Sequence, residues 1–164
     1  MLHTYDLFIT RVIHTKLPIQ IDLHKKIKSF VEKNYSEKNK ASCITGFQFH
    51  GNFDGKKELN NVLDNYLGNF LQLKIQHGWL NILGDKSYNI PHSHTGNDIQ
   101  KSGVFYLSHE NNNLNFAKDS QNFEIKPELF DILIFPFHLT HYVLPENRPE
   151  KRICYAFNLT TMEE

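Results

Sequence analysis

Cysteine is scarce in this sequence: Cys43 and Cys154 are the only two, far apart and in no C-x-x-C arrangement. That excludes a cysteine-ligated zinc module and gives no disulfide framework; one bridge between the two stays open, and the reading adopted is reduced thiols in a cytoplasmic protein. Neither sign of charge is in excess. Eighteen basic residues against 18 acidic ones give a formal net charge of zero. A broad nucleic-acid surface needs surplus Lys and Arg, so no nucleic-acid partner is expected. No apolar run approaches the roughly 18 residues of a membrane span, so no membrane partner is expected either. The N-terminus, MLHTYDLFITRVIHTK, has no basic segment followed by an apolar stretch and reads as no signal peptide. Internal repeats and low-complexity linkers are absent as well. Asn-rich stretches such as Asn111, Asn112 and Asn113 suggest an AT-rich microbial or viral genome.

What is present is an ordinary globular composition and an unusual number of histidines. Of 164 residues, 40% are hydrophobic and 22% charged, enough for one domain over residues 1–164 with its own core. The N-terminal half carries two helical patterns. Asp22 is placed to cap a helix over about 22–34, with Leu23, Ile27, Phe30 and Val31 on one face. Leu59, Val62, Leu63, Tyr66, Leu67, Phe70 and Leu71 define a second over about 57–72. Residues 5–13 and 43–49 read as strands, and the polar run 33–42 reads as a loop. From residue 73 to 159 the period becomes two, giving strands near 74–83, 87–94, 102–108, 113–117, 121–125, 131–136, 140–145 and 151–159. Short strands behind two helices predict a mainly β fold with flanking α-helices, a jelly roll or β-sandwich. The helices would cover one sheet and leave the other side of the barrel for a site.

Ten histidines are the notable count, because histidine is the commonest metal ligand. His92 and His94 form an H-x-H pair, and positions i and i+2 of a strand share a face. Both imidazoles can then reach one metal, or both can be solvent-facing polar residues. His138 and His141 are three apart on β-like sequence, where they face opposite ways, so at most one joins that pair. His3, His14, His24, His50, His77 and His109 have no such context and read as surface or structural residues. At the C-terminal end, alternation puts Arg152, Cys154, Ala156 and Asn158 on one face and Ile153, Tyr155, Phe157 and Leu159 on the other. The second face is core. The first offers a cation beside small side chains, an arrangement that can clamp a carboxylate.

Taken in order, W-L-N-I (79–82), Y-N-I-P-H-S-H (88–94), S-G-V-F-Y-L (102–107), I-F-P-F-H-L-T-H-Y-V-L-P (134–145) and K-R-I-C-Y-A-F-N (151–158) resemble the Fe(II)- and 2-oxoglutarate-dependent oxygenases. More narrowly, they resemble a small subfamily with an H-x-H, S-G-V-Y-Y, F-P-S-W-x-x-H-x-V-x-P and R-I-S-x-S-F-N series. The resemblance spans about residues 43–159. It implies a double-stranded β-helix (jelly roll) holding one Fe(II), with 2-oxoglutarate and O2 as cosubstrates. The implied reaction hydroxylates a substrate, a small molecule or a protein side chain, and releases succinate and CO2. By motif position, His92 and His141 match the metal ligands. Arg152, eleven positions after His141, matches the residue that binds the far carboxylate of 2-oxoglutarate. Tyr88 matches a tyrosine near the cosubstrate pocket of related prolyl hydroxylases, and Asn81, Asn89, Ser102 and Asn158 are assigned to the pocket lining.

One departure matters. The wider superfamily has Asp or Glu two residues after the first histidine, and this chain has His94. Three neutral imidazoles leave Fe(II) one more positive charge than two histidines and a carboxylate. Asp98, in the following turn, is the alternative donor, and an iron held by two histidines and water is a third arrangement. Other classes stay open at this level: a three-histidine, cupin-like dioxygenase indifferent to 2-oxoglutarate, a zinc site with an open position, and a non-catalytic jelly-roll binding module. The chain would be a monomer or a homodimer.

Overall fold

The computed structural model describes residues 10–96, 98–109 and 111–162, with the backbone alone at 38–40. Eleven strands and two helices follow in the order β1 (Ile13–Lys16), α1 (Ile21–Asn34), β2 (Lys38–Lys40), β3 (Cys43–Phe49), α2 (Lys56–Leu71), β4 (Leu73–Leu83), β5 (Tyr88–His92), β6 (Lys101–Tyr106), β7 (Leu114–Lys118), β8 (Gln121–Ile125), β9 (Asp131–Pro136), β10 (Thr140–Val143) and β11 (Arg152–Thr161). All strand pairs are antiparallel, in the order β1-β9-β6-β11-β4-β3-β5-β10-β7-β8, with β2 added to β3.

The curl that makes a barrel of this sheet is set at β3. Phe47, Gln48 and Phe49 pair with β4, while Cys43 and Ile44 pair with β5, so one strand belongs to both walls. The turn between those halves is sharp. Thr45 has φ +54°, and a Cβ on Gly46 would lie 2.7 Å from the Ile82 carbonyl oxygen. Only glycine lets the strand fold that closely onto β4.

The two faces of the helix-side wall have separate cores. Ile153, Tyr155, Phe157 and Leu159 pack with Leu80, Ile82, Ile132 and Ile134 against Leu59, Leu63 and Leu67 of α2 and Ile27 and Val31 of α1. On the opposite face Cys154, Val104, Tyr106, Leu133, Phe135 and Val143 form the barrel interior. The alternation along 152–159 therefore sorts the side chains as the sequence predicts: apolar residues under the helices, the Arg152 face inside the barrel.

Several boundaries differ from expectation. Residues 5–9 lie outside the described residues, and the first strand begins at Ile13 and runs to Lys16. Asp22 does not cap α1. It sits in the first helical turn, where its charge favours the helix dipole, and Gln20 occupies the cap without a side-chain bond. The run 33–42 is not all loop, since Lys38–Lys40 pair with β3. Phe70 is not part of the buried stripe of α2: it is 71% exposed and rests on Tyr66. The H-x-H strand ends at His92, leaving His94 beyond it.

Candidate metal centre and the cavity behind it

Three histidines, two on adjacent strands and one just past the end of β5, meet inside the barrel. His141 of β10 is the register partner of His92 on β5, and their ring centroids are 4.3 Å apart. His94 follows the end of β5, tied down by a hydrogen bond from its backbone N–H to the Phe137 carbonyl, 2.9 Å. Its ring centroid is 5.6 Å from His92 and 5.1 Å from His141. One ligand nitrogen from each residue lies within 4.8 Å of the others. Nitrogen ligands sit about 2.0–2.1 Å from a zinc-sized ion, so small side-chain rotations bring all three onto one metal.

Hydrogen bonding fixes which nitrogen is offered. The Nδ1 of His92 lies 2.7 Å from the Ile90 carbonyl oxygen, and the Nδ1 of His141 lies 2.9 Å from that of Leu139. A carbonyl only accepts, so each Nδ1 carries the proton and each Nε2 keeps its lone pair. Burial pushes the pKa of all three imidazoles below the ordinary histidine value. For His141, burial foremost and the neighbouring imidazoles His92 and His94 bring it to about 3. At neutral pH the cluster is uncharged, the state in which imidazole binds a metal.

One cavity connects these histidines to Arg152. Arg152, at the start of β11, is 1% exposed. Its Nη2 donates to the Tyr106 hydroxyl and its Nη1 to the Cys154 sulfur, both at 3.3 Å, and its Nε has no partner. Among the described residues no carboxylate pairs with it. A buried guanidinium facing only a phenol and a thiol is costly to the fold. Asn81 and Asn89 line the same cavity. Asn81 Nδ2 donates to Asn89 Oδ1 at 2.9 Å, which leaves Asn89 Nδ2 as a second buried donor without an acceptor. Unpaired donors at the closed end and three nitrogen lone pairs at the other suit an elongated anion that also binds a metal. The free space between them is narrow, about 30 Å³, so such an anion is admitted only as lining side chains rotate outward.

Other predicted site residues lie elsewhere. Tyr88 does not line the cavity. The β5–β10 register shifts between the His92–His141 and Asn89–Val143 pairs, and this bulge at Ile90–Pro91 turns Asn89 inward in place of Tyr88. Ser102 and Asn158 are not among the lining residues either; both contact His94 Nδ1. Asp98 is exposed, in a groove with Lys74 and Thr160, and takes no part in the histidine cluster. His138 is exposed in the turn before β10. Of the remaining histidines, His24 Nε2 bonds the buried Leu107 carbonyl, His14 pairs with Asp131, and His3 lies outside the described residues.

Three lining or supporting residues were given no role by the sequence: Gln48, and Trp79 and Tyr106, which lie within the W-L-N-I and S-G-V-F-Y-L segments. Tyr106 was derivable from pairing, since β6 runs beside β11 with Cys154 opposite Tyr106, Ala156 opposite Val104 and Asn158 opposite Ser102. Trp79 lies 5.7 Å from His94, centroid to centroid, and is near-parallel to His50, 5.4 Å away.

No protein-family model matches this sequence, and no curated protein matches it. Solved structures do. A prolyl-4-hydroxylase of Pseudomonas putida superposes with a TM-score of 0.67 at 13% identity, covering 96% of each chain. A prolyl hydroxylase of Trichoplax adhaerens, in complex with a hypoxia-inducible-factor peptide fragment, gives 0.64 at 14% identity over 91% of this chain and 83% of its own. HygX of Streptomyces hygroscopicus, with nickel and 2-oxoglutarate bound, gives 0.67 at 10% identity over 93% and 83%. This chain thus has the double-stranded β-helix fold found in 2-oxoglutarate–Fe(II) oxygenases. At these identities the likeness establishes the fold; the chemistry has to be argued from the residues.

Proposed function

We propose that this protein is an Fe(II)- and 2-oxoglutarate-dependent oxygenase that hydroxylates its substrate. The observation that carries the reading is the single cavity joining three inward-facing imidazoles to a buried arginine without an anionic partner. His92, His94 and His141 would hold the metal. Bound there, Fe(II) with 2-oxoglutarate would supply O2 activation, coupling substrate oxidation to formation of succinate and CO2.

The chain's own part is positional and electrostatic. Arg152 offers its guanidinium N–H groups to the far carboxylate of the cosubstrate, and Asn89 Nδ2 adds a neutral donor along the same wall. Neutral histidines would leave the divalent charge of such an ion uncompensated, and a dianionic cosubstrate would offset it. Leu114, Phe135 and Val143 on the cavity wall limit water around the reacting centre. A three-histidine dioxygenase indifferent to 2-oxoglutarate would leave Arg152 without a task. Trp79, half-buried on the cavity lining beside His94, would flank a substrate approaching the histidines. A small molecule and a protein side chain both suit that approach: one of the structural neighbours is a complex with a peptide and another is HygX crystallised with hygromycin B. Free, buried Cys43 and Cys154 suit the cytoplasm, and among the described residues no helix is long and apolar enough to cross a membrane.

The test uses untagged protein purified anaerobically, then given Fe(II), 2-oxoglutarate and O2. Succinate should form, even without substrate, by uncoupled turnover. Arg152→Lys keeps the charge but loses the two-pronged fork. It should weaken 2-oxoglutarate about 10- to 100-fold in calorimetry while leaving Mn(II) affinity unchanged. No succinate together with no 2-oxoglutarate binding would sink the reading.

A further inference from the structure

Resting on the reading above that the histidines hold a metal, we propose that Asn158 and Ser102 form a positioning pair that commits His94 to that metal through Nε2.

His92 and His141 are oriented by their own strands, each Nδ1 bonding a carbonyl two residues earlier. His94 lies past the end of β5, and its Nδ1 bonds side chains in place of a carbonyl; its backbone N–H bonds the Phe137 carbonyl. Its ring is held instead from the opposite wall. Asn158 Oδ1 is 2.6 Å and Ser102 Oγ 2.8 Å from His94 Nδ1. Asn158 and Ser102 face each other directly in the β11–β6 register, and the Ser102 hydroxyl reaches Asn158 Oδ1 at 3.3 Å. The pair is therefore built into two central strands, and Ser102 is completely buried.

The shorter of the two contacts, to Asn158 Oδ1, sets the donor–acceptor pattern. An amide oxygen has two lone pairs and no hydrogen. It can accept from both the Ser102 hydroxyl and a protonated His94 Nδ1. That assigns the proton to Nδ1 and the lone pair to Nε2, the same tautomer as in His92 and His141. Turning the ring over would set a C–H edge against Asn158 and forfeit the bond. A polar partner on the far nitrogen of a ligating histidine is what metal sites use to fix ring and tautomer. The position where related sites carry a carboxylate is thus occupied by a histidine whose orientation comes from two neutral side chains.

The experiment measures Mn(II) and Co(II) binding to the full chain, with the visible spectrum of the Co(II) form as a second readout. Asn158→Ala should weaken both metals about 10- to 100-fold and change the Co(II) spectrum; Ser102→Ala should do so more weakly. Asn158→Asp keeps an acceptor for Nδ1–H and should restore wild-type affinity or exceed it, with the wild-type spectrum. Wild-type affinity and spectrum in Asn158→Ala would overturn the proposal while leaving the metal site standing, as would failure of Asn158→Asp to restore them. A wild-type chain that binds neither metal would overturn the metal reading itself. Should Asn158→Ala not fold, the His94 tautomer in the metal-free wild type decides by nitrogen NMR: a proton on Nδ1 is expected, and a proton on Nε2 overturns the assignment.

Discussion

His141 shows what a buried cluster of imidazoles asks of a single residue. Its pKa lies at about 3 because burial disfavours the imidazolium, and two neighbouring imidazoles add to the effect. Released by unfolding, the same ring takes a proton near 6.5. Acid therefore favours the unfolded chain: the stability present above pH 6.5 is lost progressively as pH falls toward 3. From this residue alone the metal-free protein should be about 2 kcal/mol less stable at pH 5 than at pH 7, and His92 and His94 act in the same direction. Denaturant unfolding across that range checks it. A saturating metal, which competes with the proton, should flatten the profile, and an acid-insensitive metal-free protein would contradict the burial assigned to His141.

At the scale of elements, α2 separates what packs from what merely follows the periodicity. Leu63 is fully buried under the sheet, whereas Phe70, one helical face in the sequence pattern, is 71% exposed. Leu63→Ala should cost about 2–5 kcal/mol and Phe70→Ser less than about 0.5 kcal/mol, read from urea midpoints. The same contrast explains what could be read in advance. Period-two alternation along 152–159 named the inward and outward residues correctly, because β11 lies mid-sheet with a core on both faces. His92 and His94 could be paired because their spacing survives the end of β5. Tyr88 could not be placed, since the bulge before His92 reverses the face and nothing in the local sequence beyond Pro91 announces it. The roles of Ser102 and Asn158 were invisible for another reason: they depend on a cross-strand register between segments more than fifty residues apart.

For the molecule as a whole, the metal should act as a stabilising ligand. A cluster of three neutral imidazoles exists only in the folded state, so an ion that binds it shifts the unfolding equilibrium. At a free concentration of 100 times Kd the gain is about 2.7 kcal/mol, or about 5–10 °C in Tm for a chain of this length. Anaerobic melting with Mn(II) or Fe(II), reversed by a chelator, checks this. Mutating His92 and His141 together to Ala should abolish the shift, and a metal-induced rise that survives in that double variant would place the ion elsewhere.

The geometry of the cavity has a kinetic corollary. Arg152 is sealed at the inner end, and the half-buried His92 and His94 stand nearer the mouth. A molecule bound to Arg152 would pass the three histidines on its way in, and a second molecule seated over them would bar the way. On the proposed function, encounter would be sequential: the dicarboxylate would load first, the oxidisable partner would close the site, and departure would follow in reverse. Initial-rate patterns should be those of a compulsory-order enzyme, with excess oxidisable partner inhibiting competitively against the dicarboxylate. Random-order kinetics would require a second passage to Arg152.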